Sequence, residues 1–363
     1  MLYQRRAHMG VRMMMLKKRS LFLVLILSFV YVTVTGQTPA FHDIRPGYGV
    51  TSMHWLSDYH PSLRHTPGDT RVYVLDSGYK GGTAVVMGGT HGNEIAGVIA
   101  ATVLVENARV TTGRLIVIPH ANNANVDYKA TSRTDIPETF TLTASDGTER
   151  TFRYGSRRTN PAYEPDDPDV YVRPDGAEHE GMEIRNLNRV HPGVADGTLT
   201  EQIGYAISQL LIQEGAHIAF DLHEAGETSR LANTLVAHND ALDVGAAAII
   251  DLSMEGIQIN LEPSRKQFRG LSHREWGDHT PALAFLTETA NPGQTPNADN
   301  PDVVHNEENP LYDRVGRQLS MVLHVIQAAV DAGIPDITIE NAPTYHDMLN
   351  NGLEAWLNGN KAK

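Results

Sequence analysis

Gly88-Gly89-Thr90-His91-Gly92-Asn93-Glu94 is the stretch whose reading decides the fold. The apolar run Thr83-Ala84-Val85-Val86-Met87 precedes it, and the small-residue helical pattern Ile95 to Val105 follows. A strand therefore ends in a glycine turn, and a helix starts at once. His91 and Glu94 sit three apart at that junction, where an open loop feeding a helix can aim both side chains at one point. An imidazole and a carboxylate with this spacing suit Zn2+, which accepts nitrogen and oxygen ligands. The competing reading is a turn with an ordinary hydrogen-bonded His and a Glu placed favourably at a helix N-terminus. The motif alone leaves both open.

Working outward, Arg114 to Pro119 is a second buried strand, so strand, helix and strand form a βαβ unit. Such a unit implies a parallel sheet with helices on its faces. Upstream, Arg71 to Leu75 alternates like an edge strand after a lead-in over Phe41 to Asp69. Downstream, Thr198-Leu199-Thr200-Glu201 matches a capping box and opens a helix that runs to Glu214. Ala216 to Leu222 and Ala282 to Glu288 read as further strands, and Ala241–Met254, Leu311–Ala332 and Tyr345–Leu357 as helices. The expected class is α/β, with a mixed, mostly parallel central sheet flanked by helices and no C-terminal β domain. Residues 128–183 break the alternation with a polar segment rich in Pro, Asp and Arg, including a hairpin around Ser145-Asp146-Gly147. That length suits a functional excursion over the sheet rather than a bare connection. Asp166, Asp167 and Asp169 within it lack EF-hand spacing and read as a solvated acidic loop.

The chain has 363 residues, a net charge of −13 and no cysteine. Its first 36 residues combine a basic start (Arg5, Arg6, Arg12, Lys17, Lys18, Arg19), the apolar run Leu21 to Val34 and the small residues before Gln37. This pattern predicts a cleaved secretory signal over 1–36, with an uncleaved membrane anchor as the alternative. Export to a periplasmic or extracellular site is the expected localisation, and no later run is apolar enough to span a bilayer. The remaining sequence is strongly acidic, which argues against nucleic acid as a partner. The absence of cysteine removes thiolate ligands and thiol nucleophiles. The expected layout is a catalytic domain over 37–335 and a helical extension over 336–363; the oligomeric state is not readable.

Three expected strands end in ligand-type residues: His91 with Glu94, then His223, then Glu288. In open α/β sheets the ligand crevice lies at the carboxyl ends of the strands, where such groups converge. Two His and one Glu make a catalytic rather than structural zinc set, because a fourth position stays open. One Zn2+ per chain is expected, with Glu288 free to take a proton from the water it activates. Asn188 and Arg189 suit a substrate carboxylate, the guanidinium through two parallel hydrogen bonds. Arg185 suits the developing oxyanion. Glu224 directly follows His223 on an extended segment and points to the opposite side. His120, His217, His238, His273 and His279 read as ordinary hydrogen-bonding residues, whereas Arg269, Arg274 and Trp276 precede the Glu288 strand where they can line a pocket.

Thr90-His91-Gly92-Asn93-Glu94, Asn186-Leu187-Asn188-Arg189 with Pro192-Gly193, Asp221-Leu222-His223-Glu224 and Thr287-Glu288 stand in the order found in the zinc carboxypeptidase superfamily. Over roughly residues 70–335 the chain most resembles the succinylglutamate desuccinylase/aspartoacylase branch. The resemblance implies His91, Glu94 and His223 as zinc ligands, Asn188 and Arg189 as holders of the substrate carboxylate, and Glu288 as general base and acid. Asn186 stands where the motif usually has Asp, and the family's oxyanion-stabilising Arg lies further upstream than Arg185, so Arg173 competes for that role. The function expected is zinc-dependent hydrolysis of an amide bond next to a free carboxylate, carboxypeptidase- or peptide-amidase-like on extracytoplasmic peptides. The alternatives are an N-acyl amino-acid deacylase and a non-catalytic module that binds carboxylate-bearing peptides.

Overall fold

A computed structural model describes residues 43–128, 136–296 and 298–360. The signal-peptide reading of residues 1–36 lies outside the described residues. Chain order is β1 (Ser52–Trp55), β2 (Arg71–Asp76), β3 (Thr83–Met87), α1 (Ile95–Asn107), β4 (Arg109–Thr112) and β5 (Arg114–Ile118). The polar segment then contributes β6 (Thr139–Thr143), β7 (Glu149–Arg153), β8 (Val170–Val172) and β9 (Glu178–Glu180). Next come α2 (Leu187–Val190), α3 (Leu199–Gln213), β10 (Ile218–Gly226), β11 (Thr234–Ala237), α4 (Leu242–Met254) and β12 (Asn260–Pro263). The order closes with α5 (Ser272–His279), β13 (Leu283–Asn291), α6 (Leu311–Asp331), β14 (Thr338–Glu340) and α7 (Tyr345–Asn351).

Eight strands form one mixed sheet in the order β1-β2-β5-β3-β10-β13-β11-β12. The four central strands β5, β3, β10 and β13 run parallel, as their continuous apolar character dictates. Antiparallel neighbours flank them on both sides, and β12 returns parallel to β11. Arg71–Asp76 is not the edge: β1 pairs outside it, and Val72 to Leu75 are buried. Ser52–Trp55 has no alternation of burial, so sequence period could not reveal it as the true edge.

Helices cover both faces. On one, α1, α4, α6 and α7 enclose an apolar core with Val86, Phe220 and Phe285 of the sheet. On the other, α3 and Trp276 of α5 pack against Val85, Met87, Ile116 and Ala284. Helix α1 is buried along nearly its whole length because small residues let it lie directly on the sheet. A Cβ at Gly97 would come within 2.5 Å of the Leu222 carbonyl oxygen, so glycine permits this approach. The contact fixes how the N-terminal end of α1 sits over β10. Helix α3 opens with the reciprocal capping box of Thr198 and Glu201. Among the described residues no helix is long and apolar enough to cross a membrane.

Candidate active site

His91 lies in the turn after β3, Glu94 is the N-cap residue of α1, and His223 sits within β10. One ligand-type atom from each lies within 4.8 Å of the others. Glu94 Oε1 is 2.7 Å from His91 Nδ1, and Glu94 Oε2 is 2.7 Å from His223 Nδ1. The far ring nitrogens are engaged outward: His223 Nε2 lies 2.8 Å from Asp221 Oδ2, and His91 Nε2 lies 2.9 Å from Asn186 Oδ1. Asp221 is itself held by hydroxyl donors from Thr90 (2.7 Å) and Ser272 (2.5 Å). Outward partners of this kind orient metal-ligating imidazoles and fix their tautomer.

The charges of the trio suit a cation. Burial opposes a charge on His223, yet Asp221 and Glu94 outweigh it and hold its pKa well above the ordinary value. Burial also opposes the charge on Glu94, but His91 and His223 keep its carboxyl well below the usual range. Burial, aided by Arg157, pushes His91 down to about 4. A buried carboxylate is thus matched by one imidazolium, with a neutral imidazole beside it. Exchanging that proton for a divalent ion is the step metal binding requires. Two imidazole nitrogens and a carboxylate oxygen, all converging and outwardly braced, fit Zn2+.

Glu288 is set beside the trio by the sheet itself, because it is the register partner of His223 across the parallel β10–β13 pair. Its residue is partly exposed, while Oε2 is sealed from solvent with no hydrogen-bond partner. Burial and the charge of Glu94 push its pKa up to about 8. A cation among His91, Glu94 and His223 would counter the Glu94 charge and draw that value down.

The arginines sort differently from the sequence expectation. Arg185 is turned from the trio: Nε and Nη2 form a bidentate pair with Asp167 at 2.6 and 2.7 Å, and Nη1 donates to the Thr159 carbonyl. Arg173 is buried and braces the chain, donating to the Arg189 and His191 carbonyls and pairing with Asp175 and Glu275. Neither has a free guanidinium edge to offer a reacting carbonyl, which corrects both readings. Arg157 reaches the trio instead, with Nη1 3.6 Å from Glu94 Oε1 and 3.5 Å from His91 Nδ1. Its segment is stitched to the turn that carries His91 by Gly92 N–H to the Ser156 carbonyl (2.7 Å) and Gly155 N–H to the Gly92 carbonyl (2.9 Å). The only sequence sign of Arg157 is its place just after the β6–β7 hairpin, in the polar excursion. Arg189 is about a quarter exposed, and burial and Arg157 lower its pKa, as expected for two guanidinium groups sharing one pocket.

Asn188 Oδ1 accepts the Ser272 N–H at 2.8 Å, and its Nδ2 lies 3.5 Å from His223 Nε2. Because that Nε2 donates to Asp221, the amide and ring nitrogens make a contact rather than a hydrogen bond, and the Asn188 amide protons stay available. Glu224 points the other way, accepting from Arg314 Nη1 (2.5 Å), the Ala96 N–H (3.0 Å), Asn291 Nδ2 (3.0 Å) and Thr289 Oγ1 (3.3 Å). His217, His238, His273 and His279 have ordinary partners in Thr83, Asp278, Ser264 and Glu275. Arg269 and Arg274 join Asp278 in a network that anchors α5, and Trp276 is core.

No family model and no curated protein matches the chain. Solved structures do resemble it. The product-bound ectoine utilization protein EutE (DoeB) from Ruegeria pomeroyi is 20% identical, with a TM-score of 0.43 over 74% of this chain and 62% of that one. A succinylglutamate desuccinylase/aspartoacylase from Rhodobacter sphaeroides is 18% identical, with a TM-score of 0.45 over 74% and 61%. Cell shape determinant protein Csd4 from Helicobacter pylori, bound to product, is 13% identical, with a TM-score of 0.44 over 75% and 56%. The chain spans about three fifths of the length of these structures.

Proposed function

We propose that this chain is a zinc-dependent hydrolase that cleaves an amide bond next to a free carboxylate. The observation that carries the reading is the convergence of His91, Glu94 and His223 within 4.8 Å, with the unpartnered Oε2 of Glu288 on the adjoining strand. His91 Nδ1, Glu94 and His223 Nδ1 would hold the ion. When bound, zinc supplies Lewis-acid chemistry, polarising a carbonyl and bringing the pKa of water down to about 7. Glu288 then takes the proton of the attacking water and delivers it to the leaving nitrogen. Arg189, with an Asn188 amide proton, holds the substrate carboxylate. Arg157 donates to the scissile carbonyl oxygen as negative charge develops there.

Substrates are short peptides with a free C-terminus, met outside the cytoplasm. The signal-like pattern of residues 1–36 supports that setting. Hydrolysis of matched short peptides with free and amidated C-termini tests the reading, before and after metal is stripped and zinc restored. Cleavage confined to the free form and dependent on zinc is expected. Equal rates on both forms would remove the Arg189 role, and activity indifferent to a strong chelator would remove the metal.

A further inference from the structure

The two imidazoles of the trio are braced by unlike groups, a buried carboxylate behind His223 and a neutral amide behind His91. The orientation of that amide is dictated from both ends. Asn186 Oδ1 accepts the backbone N–H of Asn188 at 3.1 Å, and a backbone N–H can only donate. Asn186 Nδ2 lies 2.7 Å from Glu183 Oε2, which as a carboxylate can only accept. His91 Nε2 therefore faces the amide oxygen and donates to it, which leaves Nδ1 as the nitrogen available to an ion shared with Glu94. The same carboxylate takes the Nε of Arg158 at 3.0 Å and lies 3.6 Å from Nε of Arg189. Asn186 is fully buried, and the Glu183 side chain is partly buried.

We propose that Glu183 is a positioning residue for the metal centre: through the Asn186 amide it fixes the tautomer and ring orientation of His91, and the same carboxylate ties that ligand to Arg189. The carboxylate behind this imidazole has been moved one hydrogen bond outward, so that one side chain serves both the ligand and the pocket that receives the substrate carboxylate. A chain of polarised hydrogen bonds transmits such an effect in a dry interior.

The inference rests on His91, Glu94 and His223 being the zinc ligands, and the test separates the two. Zinc affinity of the metal-stripped protein is measured by competition with a chromophoric chelator for the parent, E183Q, N186D and the double variant E183Q/N186D, with His91→Ala as the control. Partners of this kind change metal affinity by about 10- to 100-fold. E183Q leaves the amide without its carboxylate, and N186D sets two carboxylates against each other, so each single change weakens zinc by about tenfold or more. The double variant exchanges amide and carboxylate, restores the donor–acceptor match from residue 183 through residue 186 to His91 while giving up the Arg189 contact, and recovers zinc affinity to within about threefold of the parent. A Glu183 serving only as an ion-pair partner of Arg158 would give E183Q the parent's affinity, and no recovery in the double variant; either result overturns the relay alone. A parent that binds no zinc, or binds it equally after His91→Ala, overturns the metal reading beneath it. Circular dichroism confirms that each variant is folded before titration.

Discussion

Replacing Glu224 separates the scaffold from the site more sharply than any change to a ligand. Its side chain and that of Arg314 are both fully buried, 2.5 Å apart, and Glu224 collects three further donors that bind the start of α1, β13 and α6 together. Glu224→Ala strands the Arg314 guanidinium in the core and empties three hydrogen bonds. Breaking a buried pair from one side costs about 3–5 kcal/mol. Set against a typical total of about 5–15 kcal/mol, that is a large fraction of the stability. For a chain of this size about 2 °C of Tm is lost per kcal/mol, so a fall of about 6–10 °C is expected. Glu224→Gln keeps the shape and loses the charge, and should fall less. Thermal melts followed by circular dichroism give Tm, and chelator competition at a temperature where both variants are folded gives zinc affinity. Zinc affinity of Glu224→Gln should stay within about threefold of the parent, because the side chain faces away from the trio. A variant that keeps its Tm but loses zinc would refute the reasoning, since Glu224 would then belong to the metal centre and not to the clamp.

Glu288→Gln should lower kcat by about 10²- to 10⁴-fold while zinc stays bound, measured by turnover alongside metal content. Arg157→Ala should lower kcat by about 10²- to 10³-fold, whereas the same change at Arg185 should act through stability rather than turnover, a contrast that steady-state kinetics and melts resolve. Stripping the metal should lower Tm, and zinc should restore it in a concentration-dependent way. Burial opposes the charge on Asp278, but Arg274, Arg269 and His238 hold its carboxyl well below the usual range. A depressed folded pKa gives stability that is present above the unfolded value of about 3.9 and is lost as pH falls through the folded one. Asp278→Asn should therefore destabilise at neutral pH, and denaturant titrations should show its deficit shrinking toward strong acid.

The parallel centre of the sheet was legible because Thr83–Met87, Arg114–Ile118 and the β10 and β13 runs are apolar without alternation, as strands covered on both faces must be. Helix α3 followed from its capping box and α6 from its period, whereas α1 reads as a run of small residues buried all round. β1, β11 and β12 are four-residue strands near the sheet margins, too short to carry a period, and α5 is a short polar helix whose partners include Arg173 and His238, distant in sequence. At the site, His91, Glu94, His223 and Glu288 stood out in the sequence because each lies in or just after the later part of a recognisable apolar strand run. The arginines could not be sorted: which guanidinium is free depends on where acidic partners such as Asp167 and Glu183 land after folding. Arg157 is placed by backbone hydrogen bonds to the Gly92 turn, and no spacing rule in the sequence encodes those.

The pairing of His223 with Glu288 across β10 and β13 makes the sheet a ruler. The spacing of His223 and Glu288 is set by inter-strand hydrogen bonds of about 4.8 Å pitch, not by any loop. Surface segments such as the β6–β7 excursion are free to drift in length and composition while that spacing stays as the strands set it. Losing a single residue within Ile218 to His223 would do the opposite: side chains beyond the gap would swap faces, and His223 and Glu288 would be parted by the thickness of the sheet.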